Sequence, residues 1–528
     1  MTKSPTTKSA VLAKSAVLSK SAVLALDQGT TSSRAILFDR GGMPLAIAQE
    51  EFAQHVRTGG NAVGDQQADD MGIVEHDPED IWRTQLSCAR LALEQAALSA
   101  AEVAAIGITN QRETTILWDR VTGRPVAPAI VWQSRVSAPI CRRLAERGLE
   151  EEVRRRTGLR LDPYFSATKI MHLLETIPGL RSRCEAGEIL FGTVDTFLIW
   201  RLTGGRVHAT DVTNASRTLL FDIDRLAWSD DLCRLFEIPR AILPEVRPSS
   251  GCYGETDPAV FGAAIPITGC AGDQQASGFA HGCTAAGSAK NTYGTGAFLL
   301  FSTGGQRVTG QSGLLTTLGC TVGAAAPATY LLEGSVFVAG AIVGWLRDGL
   351  GIIEKAADVE PLARSVPDNG GVVLVPALTG LGSPHWDPFA RGLIVGISRA
   401  TNRGHIARAA LESIALSVAD VVAAMERDAG VPLSRLRVDG GATANDLLMQ
   451  MQADVLGLPV ERPAVLETTA LGAALLAGMA VGFYADAAAV DGARRVERVF
   501  EPTMPAAARR RLLDRWHDAV ERSKGWAR

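Results

Sequence analysis

Between two short apolar runs, SAVLAL (21–26) and AILF (35–38), the chain places the link DQGTTSSR (27–34). The runs read as β-strands, and the polar, small-residue link reads as a turn. A hairpin turn needs little more than Gly, Asn or Asp where φ is positive. This one surrounds Gly29 with Thr30, Thr31, Ser32 and Ser33, with Asp27 at its entrance and Arg34 at its exit. Such a loop can wrap a phosphate in hydroxyl and backbone N–H donors, the Asp on a metal ion and the Arg adding charge. Taken alone, a Ser/Thr-rich hairpin without a ligand explains it equally well.

Two later segments shift that balance. In ITGCAGDQQASG (267–278) a strand over 265–269 ends in a small-residue turn that presents Asp273 and Gln274 ahead of a helix. In LRVDGGATAND (436–446) a strand meets Asp439-Gly440-Gly441, and a helix follows from Asn445 to about residue 456. Asp-Gly is also the commonest turn signal, so each segment is weak by itself. Three strands that each deliver an acidic residue to a glycine-rich turn set carboxylates and backbone donors where nucleotide phosphates and their metal need them.

A chain of 528 residues exceeds what one hydrophobic core supports, so two domains are expected. A net charge of −4 gives no footprint for nucleic acid or a membrane surface. The eight cysteines show no C-x-x-C pair and no zinc spacing with His, and read as reduced thiols of a cytoplasmic protein. The most apolar window, ALGAALLAGMAVGF (470–483), falls short of the roughly 20 residues a bilayer requires. Its Gly and Ala content suits a helix packed closely on another element, so no integral membrane segment is expected. KSAVLA, KSAVLS and KSAVLA recur in tandem over 8–25, and only the last copy is needed as a strand. Residues 1–19 are therefore expected to be a dispensable, mobile extension. The stretch 57–72 is polar and glycine-rich, as a surface insertion would be.

Strands and helices alternate through both halves. Strands are expected at 103–109 and 114–119, joined by Asn110-Gln111-Arg112-Glu113, and helices at 76–96, 193–204 and 335–350. Residues 403–428 set Ile406, Ala410, Ile414, Val418, Val421 and Met425 on one helical face. Strand–DQGTTSS–strand opens one half, and strand–NTYGTG–strand opens the other after residue 280. Two related α/β domains with a nucleotide between them account for that echo.

An alcohol-accepting pocket needs donors and acceptors for hydroxyls and an apolar wall for carbons. Arg112 beside Glu113 can grip vicinal hydroxyls, one donating and the other accepting, although a plain ion pair is the commoner use of such a dipeptide. Trp132 and Tyr164-Phe165 supply aromatic surface, for which core packing is the commoner role. Asp273, beside Gln274, is the candidate base. No G-x-x-x-x-G-K-[ST] loop occurs, and no G-x-G-x-x-G follows the first strand, which argues against a Walker-type ATPase and a Rossmann dehydrogenase.

ALDQGTTSSR, GITNQRETT (107–115), DPYFSATK (162–169), GTVDTFLIW (192–200), TNASRT (213–218), AGDQQA (271–276), KNTYGTG (290–296), GLGSPHWDP (380–388) and VDGGATAND (438–446) together resemble the glycerol kinases, a branch of the sugar and polyol kinases. The resemblance runs nearly end to end from residue 22. It implies two ribonuclease-H-like, actin-like ATPase domains of α/β class with the active-site cleft between them. The first, over 20–280, would hold glycerol and the phosphate loop; the second, over 281–528, would hold the adenine nucleotide. The implied reaction is ATP-dependent phosphorylation of glycerol to sn-glycerol 3-phosphate with ADP as co-product, the first step of glycerol catabolism. It would be carried out by a homodimer or homotetramer.

Position by position, the resemblance implies a phosphate loop at Thr30, Thr31, Ser32 and Arg34. The implied glycerol pocket comprises Arg112, Glu113, Tyr164, Asp273 and Gln274, walled by Trp132 and Phe298. Nucleotide contacts fall on Thr295, Gly340, Gly344, Gly441 and Asn445, and Mg²⁺ near Asp27 and Asp273, with Asp273 as catalytic base. The chain departs from the pattern at Gly344, where the family commonly has Gln. DPAVFGAAIPI (257–267) lacks the Arg of the loop many bacterial members use for inhibition by fructose 1,6-bisphosphate. EPTMPAAARRRL (501–512) lacks the acidic segment some members offer to a sugar-transport regulator. A kinase of another polyol or of dihydroxyacetone, and a non-catalytic actin-like ATPase, are the alternatives.

Overall fold

The computed structural model describes residues 20–57, 72–485 and 487–527. The expected N-terminal extension and nearly all of the polar insertion lie outside the described residues. The chain forms two compact units. One takes in the described residues up to Ala280 together with those of Thr317–Ala328 and Thr468–Arg494; the other comprises those of His281–Thr316, Thr329–Glu467 and from Arg495 onward.

The first unit is built on a five-stranded sheet. Its strands are β1 (Ala22–Gln28), β2 (Ser32–Phe38), β3 (Pro44–Glu51), β4 (Val103–Asn110) and β5 (Ile267–Gly272), in the order β5-β4-β1-β2-β3. β1, β4 and β5 are mutually parallel, whereas β2 and β3 return antiparallel. The parallel strands are apolar almost throughout and buried on both faces, while β3 alternates buried and exposed residues as an edge strand does. Helix α1 (Pro78–Gln95) covers the sheet. Asp77 caps it by accepting the Glu79 N–H, and Pro78 fills a first-turn position that lacks a hydrogen-bond partner in any case. Helix α2 (Val194–Leu202) ends just before Gly204, and helix α3 (Asp273–Ala280) starts directly on leaving β5.

The central five strands of the second unit's sheet repeat this plan. They are β6 (Ala289–Tyr293), β7 (Ala297–Gly304), β8 (Tyr330–Val336), β9 (Leu436–Asp439) and β10 (Val460–Pro463), in the order β10-β9-β6-β7-β8. A central strand again turns by a tight hairpin into an antiparallel neighbour and takes two parallel strands on its other side. Tyr293 pairs with Ala297 across its hairpin as Gln28 pairs with Ser33 across the first. Helix α4 (Gly340–Asp348) follows β8, and helix α5 (Arg403–Ala429) buries Ala410, Ile414, Val418, Val421 and Met425. Helix α6 (Asp446–Leu456) carries Asn445 as its N-cap.

One expectation is corrected. Residues 335–339 are not helical: Ser335 and Val336 finish β8, and α4 begins only at Gly340. A short apolar, β-branched run is ambiguous by periodicity, and sheet pairing decides it here. Helix α7 (Thr468–Val481), which follows the second unit's strands in sequence, packs with the first unit. A Cβ on Gly107 of β4 would lie 2.1 Å from the Ala473 carbonyl oxygen, and one on Gly269 of β5 would lie 2.6 Å from the Ala477 nitrogen. α7 therefore rests its backbone directly on the strands. Among the described residues no helix is long and apolar enough to cross a membrane.

Candidate active site

The carboxyl ends of β1, β4 and β5 stand side by side, with Asp27 opposite Thr109 and Gly272 opposite Asn110. Ligands of open α/β sheets bind at this end of parallel strands. The register brings together three of the sequence motifs: the turn after β1, the NQRE tetrapeptide after β4 and Asp273 after β5. Asp27 and Asp273 leave strands two places apart in one sheet, about 10 Å by strand spacing.

The turn after β1 is closed by Gly29 N–H donating to the Ser32 carbonyl at 3.0 Å. The Gln111 amide donates to the Gly29 carbonyl at 3.1 Å, and its backbone N–H reaches Gln28 O at 2.7 Å. Behind Gln111 lies His76, whose burial holds its imidazole down at about 4 and so keeps it neutral. Ser33 turns inward to Gln28 and Thr84, whereas Thr31 is exposed and Thr30 and Ser32 are half-buried. Arg34 reaches Gln49 at 2.9 Å, and Gln49 donates to the Ser32 hydroxyl.

Beside this loop the structure assembles the expected polyol residues of the first unit. Arg112 Nε lies 3.1 Å from Asp273 Oδ1 and 4.0 Å from Glu113 Oε1. The Gln274 N–H donates to the same Asp273 oxygen at 2.7 Å. Arg112 and Glu113 are buried, while Asp273, Gln274, Trp132 and Tyr164 are only half-buried and so face an accessible space. The Trp132 and Tyr164 rings meet edge-on at 5.5 Å, Tyr164 and Phe165 at 5.1 Å, and the indole N–H donates to Thr30 Oγ1 at 3.0 Å. The aromatic cluster is thus tied to the turn after β1.

A buried polar scaffold fixes the strand ends. Asp211 accepts the backbone N–H groups of Thr213 and Asn214, the Ser249 hydroxyl and the Asn214 amide. Thr213 Oγ1 then takes the Gly272 N–H at 2.8 Å, and Asn214 exchanges two hydrogen bonds with Asn110. Burial pushes the Asp211 carboxyl up to about 6. With Asp195 and Cys270 it forms a cluster of metal-ligating residue types, but Thr, Ser and Asn donors already occupy its carboxylates.

Phe298, Thr295, Gly340, Gly344, Gly441 and Asn445 all lie in the second unit. Gly294 and Thr295 form the exposed hairpin turn, which accepts the Gly340 and Ala341 N–H groups at 2.9 and 3.0 Å. Only glycine fits at 340, where a Cβ would stand 2.6 Å from Gly294 O. Gly344 and Gly441 face open space, with nothing within 4 Å of a Cβ. Asn445 spends its Oδ1 capping α6 through the Leu448 N–H at 2.9 Å. Phe298, opposite Thr292 in the hairpin, is half-buried.

Residues 22–280 match the N-terminal domain of the FGGY family of carbohydrate kinases, and residues 289–481 match its C-terminal domain. The chain belongs to the FGGY family of carbohydrate kinases. Glycerol kinase of Bordetella parapertussis is 55% identical over 506 residues, covering 96% of this chain and 97% of that one. Glycerol kinase of Aromatoleum aromaticum is 56% identical over 502 residues, covering 95% and 98%. Among solved structures, Plasmodium falciparum glycerol kinase with ADP superposes with a TM-score of 0.88 at 33% identity, over 96% of this chain and 98% of that one.

Three residues of this FGGY kinase carry no role in the sequence reading yet hold the site together. Arg217 Nε lies 2.5 Å from Glu113 Oε1. Lys169 is fully buried, donates to the carbonyls of Tyr164 and Phe165, and is pushed down to about 7 by burial. Gln275 accepts from Arg112 at 3.2 Å. Arg217 and Lys169 sit inside TNASRT and DPYFSATK, but nothing local in either motif's sequence signals a buried cation.

Proposed function

We propose that this kinase transfers the γ-phosphoryl group of ATP to a terminal hydroxyl of glycerol, giving sn-glycerol 3-phosphate and ADP. The observation that carries the reading is the Asp273–Arg112 pair at 3.1 Å, its guanidinium buried and its carboxylate partly exposed, in the sheet that also carries the hydroxyl-rich turn after β1. The high identity to glycerol kinases across almost the whole chain supports the choice of acceptor.

In this mechanism Asp273 is the general base. With Oδ1 engaged by Arg112 and Gln274 N–H, Oδ2 is the oxygen assigned to take the hydroxyl proton as the alcohol oxygen attacks phosphorus in line. Arg112 and Glu113 orient the polyol hydroxyls, Gln274 adds an amide, and Trp132, Tyr164 and Phe298 wall the carbon chain. Thr30, Thr31, Ser32 and Arg34 hold the transferred phosphate, while Thr295, Gly340, Gly344, Gly441 and Asn445 hold the rest of the nucleotide. Asp27 and Asp273 are hard oxygen donors at strand ends on either side of β4, suited to the Mg²⁺ that would accompany ATP and neutralise phosphate charge. Sedimentation analysis tests the proposed homodimer or homotetramer.

A coupled assay of ATP consumption with and without glycerol tests the proposal, followed by a panel of other polyols and dihydroxyacetone. Glycerol-dependent ADP release is expected; equal release without any acceptor would point to an actin-like ATPase. Arg112→Ala is expected to raise the glycerol KM by about 10- to 100-fold, since each unpaired buried polar partner costs about 1–3 kcal/mol. The ATP KM should change little, and equal weakening of both substrates rejects the division of labour.

The segment 257–264 bears on regulation. Asp257 caps a short helix and pairs with exposed Arg206 at 3.2 Å, so the nearby cation already faces a carboxylate. Pro258 also withholds a backbone donor. Millimolar fructose 1,6-bisphosphate is therefore expected to leave the rate at saturating glycerol unchanged. Saturable inhibition at fixed free Mg²⁺ and ionic strength overturns this expectation.

A further inference from the structure

Four charges alternate through the buried side of the acceptor site: Asp273, Arg112, Glu113 and Arg217. Arg112 Nε is 3.1 Å from Asp273 but 4.0 Å from Glu113, whereas Arg217 Nε is 2.5 Å from the same Glu113 oxygen. Glu113 thus belongs to Arg217, and Arg112 belongs to Asp273. Glu113 also sits at φ +60°, a left-handed backbone that a non-glycine residue keeps only where its surroundings enforce it. Ser166 Oγ and Thr115 Oγ1 donate to its carbonyl at 3.0 and 3.2 Å, and Arg217 fixes the carboxylate end. The same guanidinium packs against the rings of Tyr164 and Phe165, at 5.6 and 5.2 Å from their centroids. It therefore touches both the acidic group and the aromatic wall of the proposed polyol pocket.

We propose that Arg217 is a positioning residue for acceptor binding, setting polyol affinity through Glu113. By pairing with Glu113, it orients the carboxylate as a hydrogen-bond acceptor for a hydroxyl. It also stops Glu113 from drawing Arg112 away from Asp273. A Met at 217 fills similar volume but removes the charge and the Nε–H. Glu113 is then left with Arg112, 4.0 Å away, and the buried Lys169 as its cations, and both its orientation and the Arg112–Asp273 pair are lost. The inference rests on the glycerol kinase reading only for the identity of the acceptor.

The test is steady-state kinetics of Arg217→Met, Arg217→Lys, Glu113→Gln and the Glu113→Gln/Arg217→Met double variant, with thermal unfolding of each. Arg217→Met is expected to raise the glycerol KM about tenfold or more with the ATP KM within twofold, the effect of one lost charge-assisted hydrogen bond. Arg217→Lys, which keeps the charge, should recover part of that loss. The double variant should bind glycerol no worse than Glu113→Gln alone, because Arg217 acts through Glu113. Additive effects on glycerol KM, equal loss of ATP affinity, or an unchanged glycerol KM in Arg217→Lys or Arg217→Met each overturn the proposal. If Arg217→Met does not fold, Arg217→Lys decides. Should wild type phosphorylate a different polyol, the same comparison is made on that polyol, so a wrong acceptor and a wrong role for Arg217 give different results.

Discussion

Asp273→Asn is expected to cut glycerol-dependent turnover by about 10²–10⁴-fold, the range a positioned general base contributes. The substitution is close to isosteric, and the amide oxygen can still accept from Arg112 Nε, which lies 3.1 Å from Oδ1 in the wild type. The Gln274 N–H, at 2.7 Å, also keeps an acceptor. What disappears is the affinity for a proton. Because the Asp273 side chain keeps about a third of its surface exposed, the loss of its charge costs the fold little. The variant should unfold near the wild-type temperature and bind ATP in calorimetric titration while its kcat collapses. A kcat close to wild type removes Asp273 from the role of base.

The residues that sequence made legible are those at strand ends. Asp27, Arg112 and Asp273 stand out together, because three strand ends that each carry a charged residue into a turn are hard to explain as turns alone, although each is weak by itself. The doubled hairpin was visible for the same reason, and the paired sheets β5-β4-β1-β2-β3 and β10-β9-β6-β7-β8 show why it recurs. Arg217 was not legible, since its partner Glu113 is 104 positions away and nothing local requires a buried cation. Lys169 escaped notice because a lysine on a helix reads as surface, whereas here it is fully buried against two carbonyls. The apolar run at 470–483 told that a helix is enclosed on all sides, but not by which sheet. That answer lies in single missing side chains at Gly107 and Gly269, two positions that the helix backbone occupies.

Gly472→Val is expected to lower the unfolding temperature sharply and, in whatever folds, to depress kcat by about 10²-fold. A Cβ on Gly472 would lie 1.9 Å from the Ala276 carbonyl oxygen and 2.5 Å from its carbon, both backbone atoms that no rotamer change can move aside. Ala276 is on α3, one turn from Asp273 at the start of that helix. α3 and α7 must therefore part by more than about 1 Å, well beyond the overpacking that costs about 1–3 kcal/mol in a core. α7 cannot retreat, because its Ala473 carbonyl fills the space over Gly107 and its Ala477 nitrogen that over Gly269. The Ser250 and Thr268 hydroxyls also hold it through the carbonyls of Leu476 and Ala477. The displacement falls on α3 and carries Asp273 with it, away from Arg112 and the acceptor. Gly472→Ala meets the same carbonyl with one carbon and should show a smaller shift in the same direction. Circular dichroism melts and single-turnover kinetics read the two effects separately; an unchanged melting temperature in Gly472→Val would mean that the two helices do not touch as described.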